Sequence, residues 1–292
     1  MTQLLQQLIT AVSIGGLYAL LAVGYALIYS VFDFTNFAFG AVMMVSAFSG
    51  YYATQAGLSV IPATGVAVLA GMAVSVLTEL LAYRPMRKRN TKRLYLMISA
   101  MGINIFITNL FLCLFGANMR NLESGLAAKT ISLGKDITVG TIDLLALGTS
   151  VIALTALTFF LYKTRAGVTV RASAIDMSTA GLMGINVNRV SLIVFLISGF
   201  TAAITGMFFG MKYTVFPAMG SISNKAFIAS VIGGLGSLPG AVLGGFILGI
   251  LETVVTAYIS ATYRDLFSFL TMIVVLMFLP NGLMGKGDQD KL

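Results

Sequence analysis

Apolar runs long enough to cross a bilayer recur from one end of this chain to the other, and that pattern leaves few folds open. A helix needs about 20 apolar residues to span the hydrocarbon core. The runs at 8–31, 38–56, 60–83, 94–115, 142–162, 190–211 and 266–283 meet or approach that length. No water reaches the bilayer core to satisfy exposed backbone groups, so such runs must fold as helices. Pro62 sits near the start of its run, where a helix tolerates it. The chain is 58% hydrophobic and 10% charged, with a mean hydropathy of +0.95. Soluble domains do not have this composition. The opening MTQLLQQ carries no basic residue, and the first run exceeds a signal-peptide core, so it reads as a retained span.

The stretch 227–259 does not fit the series: it is 33 residues long with a single charge, Glu252. It contains Gly233-Gly234-Leu235-Gly236-Ser237-Leu238-Pro239-Gly240, a built-in turn. Charge placement explains what it must do. The net charge is +8, and six Lys and Arg lie within 84–93, while 163–189 carries four against the single Asp176. Positive loops of this kind face the cytoplasm. If Arg189 and the tail 286–292 share that side, an even number of crossings separates them. Two shorter arms folded back at the glycine turn keep the count even, and such a turn must be buried in protein.

The expected fold is therefore an all-α polytopic membrane protein of about eight hydrophobic segments, the seventh a re-entrant or broken-helix hairpin near 227–259. The N-terminus is expected outside and the C-terminus inside. The polar stretch 117–141 has balanced charge and fits the outer side, and its TISLGKDITVGT alternates around Gly134-Lys135-Asp136 as a small β-hairpin would near 130–141. The segment 163–189 is too polar to cross. A helix is expected at 172–183, with Asp176 in its early turns and Gly184 closing it. It is either a solvated connector or a handle for a cytosolic partner.

Several function classes are excluded or disfavoured. There is no histidine, so no Ser-His-Asp triad can form. One cysteine, Cys113, rules out a disulfide framework and a cysteine-based metal site. No Walker-type phosphate loop is present. Gly234-x-Gly236-x-x-Pro239 falls short of a dinucleotide fingerprint and follows no strand. The positive charge lies in short loops rather than on a folded basic face, which argues against nucleic acid. Neither catalytic nor metal residues are expected.

Ionisable residues inside a membrane are functional candidates because each is costly there. Glu79 lies close enough to Arg84 for an ion pair at the cytoplasmic end. Glu252 has no opposite charge nearby in sequence and must face a cavity, a partner helix or a remote cation. Asp33 and Asn36 occupy the break between the first two runs, where freed backbone groups need partners. Glycines at four-residue spacing, Gly236, Gly240, Gly244 and then Gly245, Gly249, favour close helix packing.

Five motifs taken together resemble one family. They are Asn36-Phe37-Ala38-Phe39-Gly40; Arg171-Ala-Ser-Ala-Ile-Asp176; Leu182-Met-Gly-Ile-Asn-Val-Asn-Arg189; the glycine-rich run from Val231 to Gly245; and Tyr263-Arg264-Asp265 followed by Leu279-Pro280-Asn281-Gly282-Leu283. Their order and spacing resemble the type H permease subunit of high-affinity leucine/isoleucine/valine ABC importers over nearly the whole chain. The resemblance implies a single permease domain over 1–292 in a bacterial or archaeal inner membrane. It implies a second homologous permease, two cytosolic ATPases and a periplasmic or lipid-anchored binding protein as partners, besides membrane lipid. The chain would need no cofactor, since ATP would be used by the partner ATPases, and it would be no enzyme. On this resemblance 163–189 is the coupling loop, with Arg171, Asp176, Leu182, Met183, Gly184 and Arg189 as its ATPase-coupling positions. The translocation path would draw on Asp33, Asn36, Phe39, Gly40, Gly234, Gly236, Ser237 and Glu252. Phe39 and Ala41 depart from the family pattern, which has His and an acidic residue there. Branched-chain amino acids are the first substrate expectation, with other amino acids, amides or urea as alternatives within the same importer class. A stand-alone channel or secondary transporter with broken helices is the other reading.

Overall fold

The computed structural model describes residues 2–89, 91–122, 130–132 and 138–285. The chain divides into two compact units that alternate along the sequence. One comprises Met1–Ala26, Ser124–Leu154 and Asn224–Leu292; the other comprises Leu27–Glu123 and Thr155–Ser223. In order, the helices are α1 (Thr2–Phe32), α2 (Phe39–Gln55), α3 (Val60–Thr78), α4 (Arg84–Lys88), α5 (Arg93–Phe115), α6 (Thr141–Lys163), α7 (Arg165–Ile175), α8 (Met177–Leu182), α9 (Val187–Lys212), α10 (Ser223–Gly233), α11 (Leu238–Tyr258) and α12 (Arg264–Phe278). Seven helices among the described residues are long and apolar enough to cross a membrane. The protein is an all-α polytopic membrane protein. Strands β1 (Thr130–Ser132) and β2 (Thr138–Gly140) pair antiparallel, with Ile131 opposite Val139. The expected turn at Gly134-Lys135-Asp136 lies outside the described residues.

The third span runs further than its apolar composition indicates. After α3 the helix widens into a π turn, Glu79–Tyr83, and continues as α4. Part of the basic stretch expected as a loop is therefore helical. Pro85 explains the widening: its ring would clash with a carbonyl of the preceding α-helical turn, and a π turn makes room. The same geometry re-pairs Glu79, whose carboxylate is buried and binds Arg87 at 2.6 Å rather than Arg84.

In the second unit α2, α3 and α9 form the centre. Lipid gives hydrophobicity no purchase between helices, so close backbone approach holds them. A Cβ on Gly206 of α9 would lie 2.4 Å from the Met43 carbonyl oxygen of α2. Ser75 of α3 donates to the Phe195 carbonyl of α9 at 2.6 Å.

In the first unit the segment 227–259 is broken as expected, but its arms are unequal. The short arm α10 has 11 residues and the long arm α11 has 21, enough to cross. The arms meet backbone to backbone: a Cβ on Gly244 would lie 2.0 Å from the Ala229 carbonyl oxygen. The last carbonyls of α10 would be orphaned in a buried turn. The chain after α12 supplies their donors, Leu283 N–H to Ile232 at 2.9 Å and Met284 N–H to Gly233 at 2.9 Å. The glycines of α11 also seat α1, since a Cβ on Gly249 would lie 2.3 Å from the Gly15 Cα. Their spacing therefore serves packing within this chain.

Candidate functional site

The break between α1 and α2 is built from its own polar residues. Asp33 has φ of +58°, the only positive value on a non-glycine residue among those described, and its carboxylate pairs with Arg93. Buried Asn36 uses one oxygen twice, accepting the Ala38 N–H at 3.1 Å and the Tyr83 hydroxyl at 2.7 Å. Phe39 is buried, and a Cβ on Gly40 would strike the Gly220 carbonyl oxygen at 2.4 Å. The structure thus brings Asp33, Asn36, Phe39 and Gly40 together in the second unit, the last three buried and Asp33 part-exposed.

The other four expected path residues lie in the first unit, at two levels. Gly234 and Gly236 have φ of +108° and +83°, and they form the turn between α10 and α11. Ser237 caps α11 by accepting the Gly240 N–H at 3.2 Å. Glu252 stands 14 residues further along α11 than Leu238, about 21 Å away at 1.5 Å per residue. It is not paired locally. Lys225, at the start of α10, approaches it at 2.8 Å and reaches Asp265 at 2.9 Å. The Tyr18 hydroxyl donates to it at 2.8 Å and the Ser268 hydroxyl at 2.9 Å, with Arg264 Nε at 3.7 Å. Lys225 was not among the sequence candidates. One signal could have found it: it is the single charge in 213–251, and Glu252 is the next charge along the chain. A cation and an acid isolated in neighbouring apolar arms have strong cause to pair.

The segment 163–189 is the third region. Thr164 caps α7, its hydroxyl accepting the Gly167 N–H at 3.0 Å. The Arg171 guanidinium lies 4.7 Å from the Tyr162 ring centroid, a cation–π contact. The expected single helix at 172–183 is two helices instead, because Asp176 is extended (φ −154°, ψ 112°) and caps the second. Its Oδ1 accepts the Ser178 N–H at 2.8 Å and the Ser178 hydroxyl at 2.6 Å, and its Oδ2 accepts the Thr179 hydroxyl at 2.5 Å. These bonds, from Ser178 first and Thr179 next, hold the carboxyl well below the usual carboxylate range. An aspartate with that many local donors does better as a cap than inside a helix. Gly184 closes α8 at φ +88°, with the Ile185 N–H returning to the Ala180 carbonyl at 3.0 Å. Asn186 caps α9, accepting the Arg189 N–H at 3.2 Å. Around this tightly bonded turn three apolar side chains stand free: Leu182 is 88% exposed, Ile175 84% and Met183 80%.

The model of the branched-chain amino acid transport system permease component family matches residues 7–276. The chain belongs to this family. The high-affinity branched-chain amino acid transport permease LivH of Escherichia coli K12 is 35% identical to it over 99% of this chain and 97% of its own. BraD of Pseudomonas aeruginosa, of the same description, is 32% identical over 99% and 98%. The solved PsaBC structure from Streptococcus pneumoniae, in complex with Fab, shares the fold at a TM-score of 0.53, with 15% identity over 96% of this chain and 93% of that one. The permease is thus a multi-pass inner-membrane transport protein of the ABC importer class, and it is built to work with partner subunits.

Proposed function

We propose that this permease forms half of the path by which an ATP-driven importer takes up branched-chain amino acids. A second homologous permease supplies the other half. Two cytosolic ATPases supply the motor, and a periplasmic or lipid-anchored binding protein delivers substrate. The observation that carries the reading is the turn at 175–184: a rigidly capped element that presents Ile175, Leu182 and Met183 outward on a chain with no phosphate loop of its own. Exposed apolar side chains on a polar loop are the mark of a protein contact. ATP binding would close the ATPase pair and move the docked turns, shifting the permeases between two populations open to opposite sides. This chain supplies no chemistry in that cycle and needs no cofactor. Arg171 and Arg189 belong to the same element, one braced on Tyr162 and the other at the start of α9.

Within the path we assign Asp33, Asn36, Phe39 and Gly40 to the outline of the first break and Gly234, Gly236 and Ser237 to the hairpin turn. Glu252 fixes the hairpin's depth. The substrate reading leans on the names of the relatives, which agree across Escherichia, Pseudomonas and a Methanocaldococcus permease 29% identical over 97% of this chain. Reconstitution in vesicles with the partner ATPases and binding protein tests it. ATP-dependent uptake of labelled leucine, isoleucine or valine is expected only from the full assembly. Uptake by this chain alone would reverse the proposal in favour of a stand-alone transporter.

A further inference from the structure

The basic stretch between α3 and α5 is left without a role by the transport reading. Of its six cations, two have carboxylate partners, Arg87 with Glu79 and Arg93 with Asp33. Lys88, Arg89 and Lys92 are exposed and make no ion pair among the described residues. Arg84 Nε is enclosed without a hydrogen-bond partner there. These groups do not sit on a slack loop. α4 prolongs the third span, and the turn after it closes on one carbonyl: Met86 accepts the Arg89 N–H at 3.1 Å and both the N–H and hydroxyl of Thr91, at 3.3 and 2.9 Å.

Immediately to the membrane side the surface becomes apolar. Leu81 on one helix and Leu94, Tyr95 and Ile98 on the other are all more than half exposed. A ring of outward apolar side chains capped by unpaired cations marks where hydrocarbon gives way to headgroups. We propose that this turn is a binding site for the phosphodiester headgroups of anionic phospholipid, gripped by Lys88, Arg89 and Lys92. Ammonium and guanidinium groups are matched to phosphate oxygens by charge and by donor geometry. A protein dock would be chemically different. The turn at 175–184 shows the alternative, with apolar tips and an acidic cap, whereas this one offers cations directly continuous with a lipid-facing wall.

The test uses the purified full-length permease in detergent with equal amounts of phosphatidylglycerol and phosphatidylcholine added, and counts retained lipid by native mass spectrometry. The wild type is expected to retain phosphatidylglycerol preferentially, and less of it as salt rises. Each of Lys88→Gln, Arg89→Gln and Lys92→Gln is expected to lower that retention about fivefold, while Lys88→Arg with Lys92→Arg preserves it. The melting temperature of each variant, expected to match the wild type, separates lost binding from lost folding. Equal retention of the two lipids by the wild type would overturn the proposal. So would a triple variant that keeps its phosphatidylglycerol but no longer co-purifies with the ATPases, which would make the turn a protein dock.

Discussion

The turn at 175–184 and the charge cluster around Glu252 meet their polar demands in opposite ways. Asp176 satisfies its oxygens with donors two and three residues away. Glu252 draws on Tyr18, Lys225, Arg264 and Ser268, spread over α1, α10 and α12. The first arrangement is closed by bonds within its own segment and leaves its apolar tips exposed. The second exists only once the unit has folded, and it fixes how deep the short arm α10 lies beside α11. Local bonding suits an element that must be presented; long-range bonding suits one that must be placed.

The largest effect of breaking this contrast is expected at Lys225. Lys225→Met removes the nearest cation from buried Glu252 and leaves only Arg264 at 3.7 Å, which should cost about 3 kcal/mol, the low end for breaking a buried pair. Thermal unfolding in detergent should show it. The double variant Lys225→Met/Glu252→Leu should recover more than half of that loss, since it leaves Arg264 to pair with Asp265. An unchanged melting temperature in the single variant would mean that the cluster is ornamental. Next in size is Gly244→Ala, which drives a methyl group into the Ala229 carbonyl and should cost about 1–3 kcal/mol by overpacking. A smaller loss of about 1 kcal/mol is expected for Gly184→Ala, from the positive φ alone, because no atom lies within 4 Å of the added carbon. It should change transport more than melting.

The smallest effect concerns pH. The folded state lowers the Asp176 carboxyl below its ordinary 3.8. Its capping contribution is therefore complete above the ordinary carboxylate range and fades only as pH falls towards the lowered value. Uptake between pH 5 and 8 should show no inflection that Asp176→Asn removes.

What the sequence reveals follows the same division. The spans and the two-armed hairpin can be read from apolar length and glycine content, since each is a property of contiguous residues. The closing role of Gly184 is legible for the same reason. The split of 165–182 into two helices at Asp176 is less so. Helix propensity runs through it, and only the local donors Ser178 and Thr179 tip the aspartate into a cap. The Glu79–Arg87 pair forms across a π turn that Pro85 imposes, so the cation nearest in sequence, Arg84, is not the partner. The partners of Glu252 lie up to 234 positions away, and no periodicity reaches that far. The short arm begins outside the apolar stretch, at Ser223-Asn224-Lys225, so apolar length alone misses its first turn.

The central claim is that the exposed tips at 175–184 pass the motor's movement to the permease. It is tested most directly with Leu182→Ser/Met183→Ser in the fully assembled importer, measuring ATP hydrolysis and substrate uptake in the same vesicles. Both side chains are solvent-exposed, so melting should move by no more than about 0.5 kcal/mol. Uptake per ATP hydrolysed should fall at least about tenfold, the loss of roughly 1.4 kcal/mol of coupling. Uptake and hydrolysis that remain at wild-type ratio would contradict the account.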